Sequence, residues 1–527
     1  MFDCVRMRGA VVLAFMVLAM AISVADAGIW RHDRDEQQYV DLGNDPAYAP
    51  VVALVAGNSQ ASGTLISPHW VLTAAHVLDN ASSATLYVGG ATAGDGVIYS
   101  SESLLQNPDW SPGSPDPFFQ GTDIALIRLS SPVTDITPAS RFYGSDERGM
   151  VGTYTGYGQG GDGLQGTTGP WGTKRAGQNI IDAFGMDDDL LDNVSERIML
   201  SDFDHPDGST NQWYSADPEP LDLEYLPAPG DSGGGVFVEY QGEQRLAGVK
   251  SFVAATASDS IEYKYGETVG SIRINQFNHW IDDHIAVGWK SAGEGAFDDP
   301  DRWDNSSAAP GEGDIVGFNV AGQSTVTFGQ DASVHALLQR DGTVTLELGG
   351  HELQLTSDML EGALTVGKYS SEEATLTVRD GKIVATDGIV RAGKYGQGTL
   401  NIESGIIRAA EYLQASGSHL RMEIAGDEDE WLTVTGDMHL AGTMEVALRA
   451  GYLPEFGDSF GLLSFGSLSG EFDQIIVPDL PGGLFWDTTE LYETGTVTVI
   501  PEPATLAMLG IGSLAVSLRR RKNCRTA

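Results

Sequence analysis

The chain has 527 residues and carries 73 acidic against 30 basic side chains, a formal net charge of −43 at neutral pH. Such a surface repels DNA, RNA and anionic lipid, so it excludes nucleic acid as a partner and favours a soluble, weakly cation-binding protein. Its two cysteines, Cys4 and Cys524, lie in the terminal segments, which excludes a disulfide within the body of the protein.

Residues 1–27 have the pattern of a secretory signal peptide. Two arginines precede an apolar stretch over residues 10–22, and Ala-Asp-Ala follows at 25–27. The apolar stretch is shorter than a membrane-spanning helix requires, and the alanines at 25 and 27 match a signal-peptidase cleavage pattern. We therefore predict an exported protein whose mature chain begins at Gly28.

Two polar residues stand at the ends of predicted strands. Residues 63–72 contain two short apolar runs with a Ser-Pro turn between them, which indicates two short strands. The block Thr-Ala-Ala-His follows the second run and ends at His76. Asp123 opens the apolar run 124–129, which indicates a half-buried strand. A histidine and a buried acid are the partners that activate a serine hydroxyl for nucleophilic attack.

The serine is in the run Pro-Gly-Asp-Ser-Gly-Gly at 229–234, ahead of an apolar strand. Glycine lets the backbone turn tightly, so the N–H groups of Gly230 and Ser232 can point at one oxyanion. In the order His76, Asp123, Ser232, the chain has the residue types of a catalytic triad.

These three blocks, in this order, resemble the chymotrypsin/trypsin-like serine peptidases. The resemblance covers about residues 50–290 and implies an all-β, two-barrel domain over residues 28–290. It also implies roles for the residues: Ser232 attacks, His76 shuttles the proton, Asp123 orients the imidazole, and the N–H groups of Gly230 and Ser232 bind the oxyanion.

The same resemblance implies a substrate preference. The residue six positions before the serine lies at the floor of the family's primary pocket, and here it is Leu226 rather than an acid. The strand that lines the cleft contributes Ser251, Phe252 and Val253. We therefore expect cleavage after an uncharged residue and not after arginine or lysine.

Two features of the domain stay open. Family zymogens release a new amino terminus that pairs with the acid before the serine, but no matching activation sequence precedes residue 50, so the partner of Asp231 is undetermined. Acidic runs at 187–189 and 202–208 match no EF-hand spacing. They are consistent with a calcium site or with a solvated acidic loop, and no other cofactor is expected.

The second half of the chain has a different pattern. Residues 275–286 have the apolar spacing of a closing helix, and residues 291–314 are rich in small and polar residues, which predicts a linker. Short alternating strands follow over 315–500, and the segment 364–369 recurs at an offset of 26 residues with its Gly-Lys-Tyr turn. The repeat resembles autotransporter-type passengers and predicts a β-solenoid with a closing β module, whose Lys-Tyr turns we take as surface residues.

Residues 501–527 combine Pro-Glu-Pro, an apolar run over 504–518 and a basic cluster at 519–522. The apolar run is short for a permanent span, which suits transient membrane insertion with the basic cluster on the cytoplasmic side. The tail resembles the PEP-CTERM sorting signal of Gram-negative bacteria. The resemblance implies processing by an exosortase and delivery to the cell surface or extracellular matrix.

Two functions from different classes remain. The intact triad predicts an exported serine endopeptidase that acts on proteins or peptides through an acyl-enzyme. The unusual pocket and the missing activation sequence are also consistent with a surface or matrix adhesion protein whose peptidase-like domain is inert.

Overall fold

The computed structural model describes residues 28–501, except 186–193, 211–219, 256–260, 305–307, 358–361 and 427–430. The predicted signal peptide, residues 1–27, and the predicted sorting tail beyond residue 501 lie outside the described residues. Strands make up 51% of the described residues and helices 9%. The predicted all-β class is therefore confirmed.

A short strand and a helix precede the first barrel. The strand is β1 (Gly28–Trp30) and the helix is α1 (Glu36–Gly43). The helix begins at a capping box, in which Asp35 accepts a hydrogen bond from the backbone of Gln37 and the side chain of Gln38 accepts one from the backbone of Asp35. This exchange satisfies backbone groups that a helix start leaves unpaired.

The first barrel has six antiparallel strands and is closed, in the order β2-β3-β4-β7-β6-β5. Side chains that point inward from facing strands, such as Leu54, Leu72 and Leu126, are fully buried. The strands are β2 (Val51–Ala56), β3 (Ser59–Ser67), β4 (Trp70–Thr73), β5 (Ala84–Val88), β6 (Val97–Gln106) and β7 (Ala125–Leu129).

The second unit is a seven-stranded sheet in the order β11-β8-β15-β16-β17-β13-β12, which forms a half-barrel. A smaller sheet, β10-β9-β1-β14, lies at its side. The strands are β8 (Val151–Gly156), β9 (Gln159–Asp162), β10 (Gly166–Trp171), β11 (Arg175–Ile180), β12 (Ala183–Phe184), β13 (Ile198–Asp202), β14 (Tyr225–Leu226), β15 (Gly235–Tyr240), β16 (Glu243–Ala254) and β17 (Thr268–Arg273).

The predicted closing helix is present as α2 (Asn278–Ile285), and its buried residues Ile281 and Ile285 pack into the core of the first barrel. The remaining elements are β18 (Ala286–Gly288), β19 (Gly293–Ala296), β20 (Ile315–Thr327), β21 (Ala332–Val334), β22 (Ala336–Glu347), β23 (Glu352–Leu355), β24 (Leu364–Val366), β25 (Glu373–Ala392), β26 (Gln397–Gln414), β27 (His419–Ile424), β28 (Leu432–Val434), β29 (Asp437–Leu440), β30 (Thr443–Leu448), β31 (Ser459–Gly461), β32 (Leu463–Ser464), β33 (Ser467–Gly470), β34 (Gln474–Ile476), β35 (Leu484–Asp487), α3 (Leu491–Thr494) and β36 (Thr496–Pro501).

The strands from β18 to β34, except β31, pair in parallel and form a three-faced solenoid. One face runs β18-β20-β22-β24-β25-β26-β29-β33, a second runs β19-β20-β22-β25-β26-β27-β30-β34, and the third runs β21-β23-β25-β26-β28-β32. The long strands β25 and β26 bend through all three faces. A rung cannot bury its own inner face, so each is stabilised by its neighbours.

The sequence repeat corresponds to neighbouring rungs. Leu364 lies beside Val390, and Leu376 lies beside Leu400, so repeated positions stack directly on one another. All four of these side chains are fully buried. A separate antiparallel sheet joins β35 and β36, near the end of the described chain, to β31, which lies between β30 and β32 in sequence.

Parts of the segment predicted as a linker, residues 291–314, pack against the solenoid. This segment contains β19, which pairs with β20, and Trp303, which is fully buried. Trp303 contacts the rings of Trp289, Phe297 and Phe318 at the first rung of the solenoid. The solenoid thus begins at β18, directly after α2, because aromatic residues within the small-residue segment cover its apolar end.

A buried ion-pair cluster joins α2 to the solenoid. Asp282 accepts hydrogen bonds from Lys368 Nζ at 2.6 Å and from the Tyr369 hydroxyl at 2.7 Å, and it forms an ion pair with Arg141. Burial alone would raise the pKa of Asp282, but Arg141 and Lys368 hold that pKa below its usual range. The expectation that this Lys-Tyr turn lies at the surface is wrong, since Lys368 is only 2% exposed.

Among the residues that the structure describes, no helix is long and apolar enough to cross a membrane. The predicted membrane-inserting run, residues 504–518, lies outside them.

We expect Lys368→Met to lower the free energy of unfolding by about 3 kcal/mol, because it removes one partner of a buried carboxylate. Urea denaturation followed by tryptophan fluorescence measures the change. Lys382→Met on the same solenoid is the control, since Lys382 is exposed, and it should change stability by less than about 0.5 kcal/mol. Equal effects of the two substitutions would contradict a stabilising role for the cluster.

Candidate active site

The loop after β4 and the start of β7 bring His76 and Asp123 together. Thr73, at the end of β4, pairs with Ala125 of β7. The segment just after Thr73, which contains His76, therefore lies beside the segment just before Ala125, which contains Asp123. The His76 ring Nδ1 lies 2.7 Å from Asp123 Oδ2, and the His76 backbone N–H donates to Asp123 Oδ1 at 2.8 Å. Two contacts to one carboxylate fix the orientation of the ring.

The second unit completes the environment of Asp123. The hydroxyl of Ser251, on β16, donates to Asp123 Oδ2 at 2.6 Å, and the carboxylate is fully buried. Phe118 packs its ring edge-on against His76 with 5.3 Å between ring centroids. The His76 side chain keeps 23% exposure, so the imidazole is oriented from inside and accessible from outside.

Asp123 also controls the protonation of the imidazole. Burial by itself would lower the pKa of His76, but the charge of Asp123 and its hydrogen bond outweigh burial and raise the pKa above its usual 6.5. An imidazole in this setting accepts a proton readily and remains stabilised as a cation.

Ser232 lies in the turn between β14 and β15, against the first barrel. Its carbonyl accepts a hydrogen bond from the backbone of Ser62 at 3.0 Å. Gly233 has φ of +83°, and a Cβ there would lie 2.1 Å from Thr73 Oγ1, so only glycine allows this approach to the segment that ends at His76. Within the described residues no hydrogen bond joins the Ser232 hydroxyl to His76, and such bonds are often loose before substrate binds.

The backbone of the turn has a distinctive hydrogen-bond pattern. The N–H groups of Asp231, Gly233 and Gly234 donate to Ala228, Lys250 and Asp231. Among the described residues, the N–H groups of Gly230 and Ser232 have no acceptor. The two donors that the sequence assigns to an oxyanion hole are thus the ones left available for a ligand.

A cavity of about 100 Å³ opens beside Ser232. The three residues that the resemblance assigns to the substrate cleft, Ser251, Phe252 and Val253, border it. Its remaining lining comes from Pro227, Ala228, Pro229, Lys250, Tyr263 and Val269.

Leu226 is a correction to the predicted pocket. Its side chain is fully buried, its backbone pairs with Ile29 of β1, and it is absent from the cavity lining. The sequence also misses Tyr263, which lies in the segment before β17, and Val269, whose position beside Val253 depends on the register of β16 and β17. Lys250 could have been singled out from the sequence, because a lysine inside an apolar strand is buried and needs a polar or charged partner.

A calcium site is one of the two interpretations of the acidic runs at 187–189 and 202–208. Over the part of the chain that the structure describes, no group of three or more His, Cys, Asp or Glu side chains is arranged to hold a metal ion. The acidic run 187–189 lies outside that part. In the second run, Asp207 pairs with His205 at 2.7 Å.

Residues 43–183 match the family model described as Trypsin. The chain contains a trypsin-family domain. Residues 499–522 match the PEP-CTERM protein-sorting motif, which indicates export and sorting toward the surface. The Trypsin match includes His76 and Asp123 and ends before Ser232, so the prediction that Ser232 is the nucleophile rests on its own motif and surroundings.

Curated relatives match a short part of the chain. A calcium-dependent serine proteinase of Mesocricetus auratus is 38% identical over 83 residues, and complement C1s subcomponent of Sus scrofa is 36% identical over 83 residues. Each match covers 14% of this chain and about 12% of the relative.

Solved structures also resemble part of the chain. HL collagenase matches at 22% identity with a TM-score of 0.34, and mouse neuropsin matches at 19% identity with a TM-score of 0.35. Each match covers 45% of this chain and 94% or 96% of the solved chain.

We expect His76 to titrate above 6.5, and Asp123→Asn to lower that pKa because the substitution removes the carboxylate charge. NMR titration of the labelled histidine ring measures both values. Asp109→Asn, on the exposed loop before the strand, is the control and should leave the pKa unchanged. A His76 pKa that is insensitive to Asp123→Asn would contradict the pairing.

Proposed function

We propose that the protein is an exported serine endopeptidase that cleaves peptide bonds through Ser232, His76 and Asp123. The observation that carries the proposal is the buried Ser251–Asp123–His76 chain of hydrogen bonds beside a serine turn with two available N–H donors. The trypsin-family match over residues 43–183 supports a peptidase at the coarser level.

The proposed reaction follows from these contacts. His76 takes the proton from the Ser232 hydroxyl as its oxygen attacks the substrate carbonyl, and Asp123 stabilises the imidazolium that forms. The N–H groups of Gly230 and Ser232 bind the resulting oxyanion. The imidazolium then protonates the leaving amine, and water activated by the same imidazole releases the acyl group.

The cavity favours a small, uncharged side chain before the cleaved bond. Val253 and Val269 pair across β16 and β17 and both border the cavity, which holds about 100 Å³. Phe252 and Tyr263 add aromatic walls, and among the described residues no carboxylate lines the cavity to attract arginine or lysine. Alanine-sized and valine-sized side chains are the best match to that space.

The ends of the chain support a surface location. We propose that signal peptidase cleaves before Gly28 and that an exosortase-type enzyme processes the tail near residues 501–503 after transient membrane insertion. Proteins or peptides outside the cell are then the substrates. The solenoid serves as a scaffold or stalk that carries the peptidase domain.

A fluorophosphonate probe applied to the chain should label one serine, which mass mapping identifies as Ser232, because the probe needs an activated nucleophile. Ser232→Ala should abolish labelling and peptidase activity. Ser111→Ala, at an exposed loop serine, is the matched control and should retain both. No labelling of a folded sample would reject the peptidase and favour an inert surface protein.

Val253→Gly should widen the cavity and shift preference toward larger side chains. We expect the ratio of kcat/KM for phenylalanyl over alanyl peptides to rise about 10- to 100-fold, the usual range for small changes in an apolar pocket. Val97→Gly, at a 57% exposed position of the first barrel, is the control and should leave the ratio unchanged. An unchanged ratio in Val253→Gly would contradict the assignment of this cavity to substrate.

A further inference from the structure

Asp231 is a fully buried carboxylate directly before the proposed nucleophile. Its Oδ1 accepts a hydrogen bond from the backbone of Gly158 at 3.0 Å and lies 3.4 Å from Lys250 Nζ. Its Oδ2 accepts from the backbone of Ala228 at 2.9 Å and from the Tyr225 hydroxyl at 3.2 Å. These four contacts fix the carboxylate and, through it, the turn that provides the two available N–H groups.

Lys250 supplies the positive charge in this set and is only 1% exposed. Its backbone is bound to the same turn, since its carbonyl accepts from Gly233 and its N–H donates to Gly234. A Cβ at Gly156 would lie 2.8 Å from Nζ, and a Cβ at Gly234 would lie 2.8 Å from Cε. The lysine therefore fills a space that its neighbours leave by having no side chains.

The start of the mature chain comes close to this carboxylate without contacting it. β1 pairs with β9 and β14, and a Cβ at Gly28 would lie 1.8 Å from the Tyr225 hydroxyl oxygen. The Tyr225 hydroxyl is the group that donates to Asp231. Burial, together with Asp231, raises the pKa of Tyr225 well above its usual value, so Tyr225 keeps the proton that it donates.

We propose that Lys250 is a positioning residue: its ammonium holds Asp231 and presets the oxyanion-binding turn, so the site needs no free amino group at residue 28. This inference rests on the proposed function. An ionised carboxylate in the interior requires a paired charge or several hydrogen bonds. Here the fold supplies both from within, so the turn is assembled when the chain folds and not when a terminus is released.

The ammonium gives the site an alkaline limit. Burial lowers the pKa of Lys250 below its usual 10.5, and Asp231 offsets this only in part. Among the described residues, Asp231 and Tyr225 are the titratable groups that face Lys250, and Tyr225 stays protonated. As the pH rises through the lowered pKa the ammonium is lost, so the rate of acylation falls at a pH at which an exposed lysine is still charged.

The first test leaves the fold unmutated. The chain that begins at Gly28 is compared with the same chain carrying a short Gly-Ser extension ahead of Gly28, both retaining residues 28–527, and the rate of fluorophosphonate labelling at Ser232 is measured. We expect equal rates, because Lys250 is present in both chains. Loss of labelling in the extended chain would overturn the proposal, since it would mean that the terminal amino group is required.

The second test removes the ammonium. Lys250→Met should slow labelling about 100-fold or more, the usual effect of losing one oxyanion donor, while Lys250→Arg should restore part of the rate. Because guanidinium stays charged, Lys250→Arg should also remove the alkaline fall in rate. Lys174→Met is the matched control: Lys174 is another buried lysine, whose Nζ donates to a backbone carbonyl at 2.5 Å, away from Asp231.

The outcomes separate this proposal from the proposed function. No labelling of the unmutated chain rejects the peptidase itself. Two results would reject only the role of Lys250, provided that the unmutated chain is labelled. One is a wild-type labelling rate in the Lys250 variants, and the other is an unchanged fall in their labelling rate at alkaline pH. If Lys250→Met does not fold, the double substitution Lys250→Met with Asp231→Asn replaces it, because it leaves no unpaired buried charge. The double variant should fold but be labelled slowly. A wild-type labelling rate in it would overturn the proposal.

Discussion

Buried carboxylates with complete sets of partners hold the units of this protein together. Asp123, next to the first barrel's β7, accepts a hydrogen bond from Ser251 of the second unit and orients His76. Asp282 receives its partners from both the second unit and the solenoid. Since a buried charge without a partner is strongly destabilising, loss of a single partner within either cluster would destabilise the packing between the units.

The solenoid depends on a different constraint, which is the coverage of its ends. Its rungs bury apolar side chains such as Leu376 and Leu400 against one another, and the outermost rungs have a neighbour on one side only. At the first rung, Trp303 and its aromatic neighbours cover the core, and Leu338 of β22 packs into the core of the trypsin-like domain. The two halves of the chain are therefore a continuous packed body at this junction.

The strong acidity of the chain makes its few cations informative. Arg141, Lys250 and Lys368 are each almost fully buried, and each contacts a buried carboxylate. The acidic excess is spread over the surface, where water and counter-ions screen it. These three cations thus neutralise negative charges inside the fold.

The sequence by itself determined the all-β class, the trypsin-like domain and the residues His76 and Asp123, because strand periodicity and short ordered motifs are local properties. It also located the repeat, since stacked rungs need similar side chains at a fixed offset. Only the tertiary structure showed the partner of Asp231, the burial of Lys368 and the packing of Trp303 within the predicted linker. It also showed that Leu226 does not line the cavity beside Ser232. Each of these depends on which distant segments meet, and a buried charge or an apolar end selects its partner by proximity in space rather than by spacing along the chain.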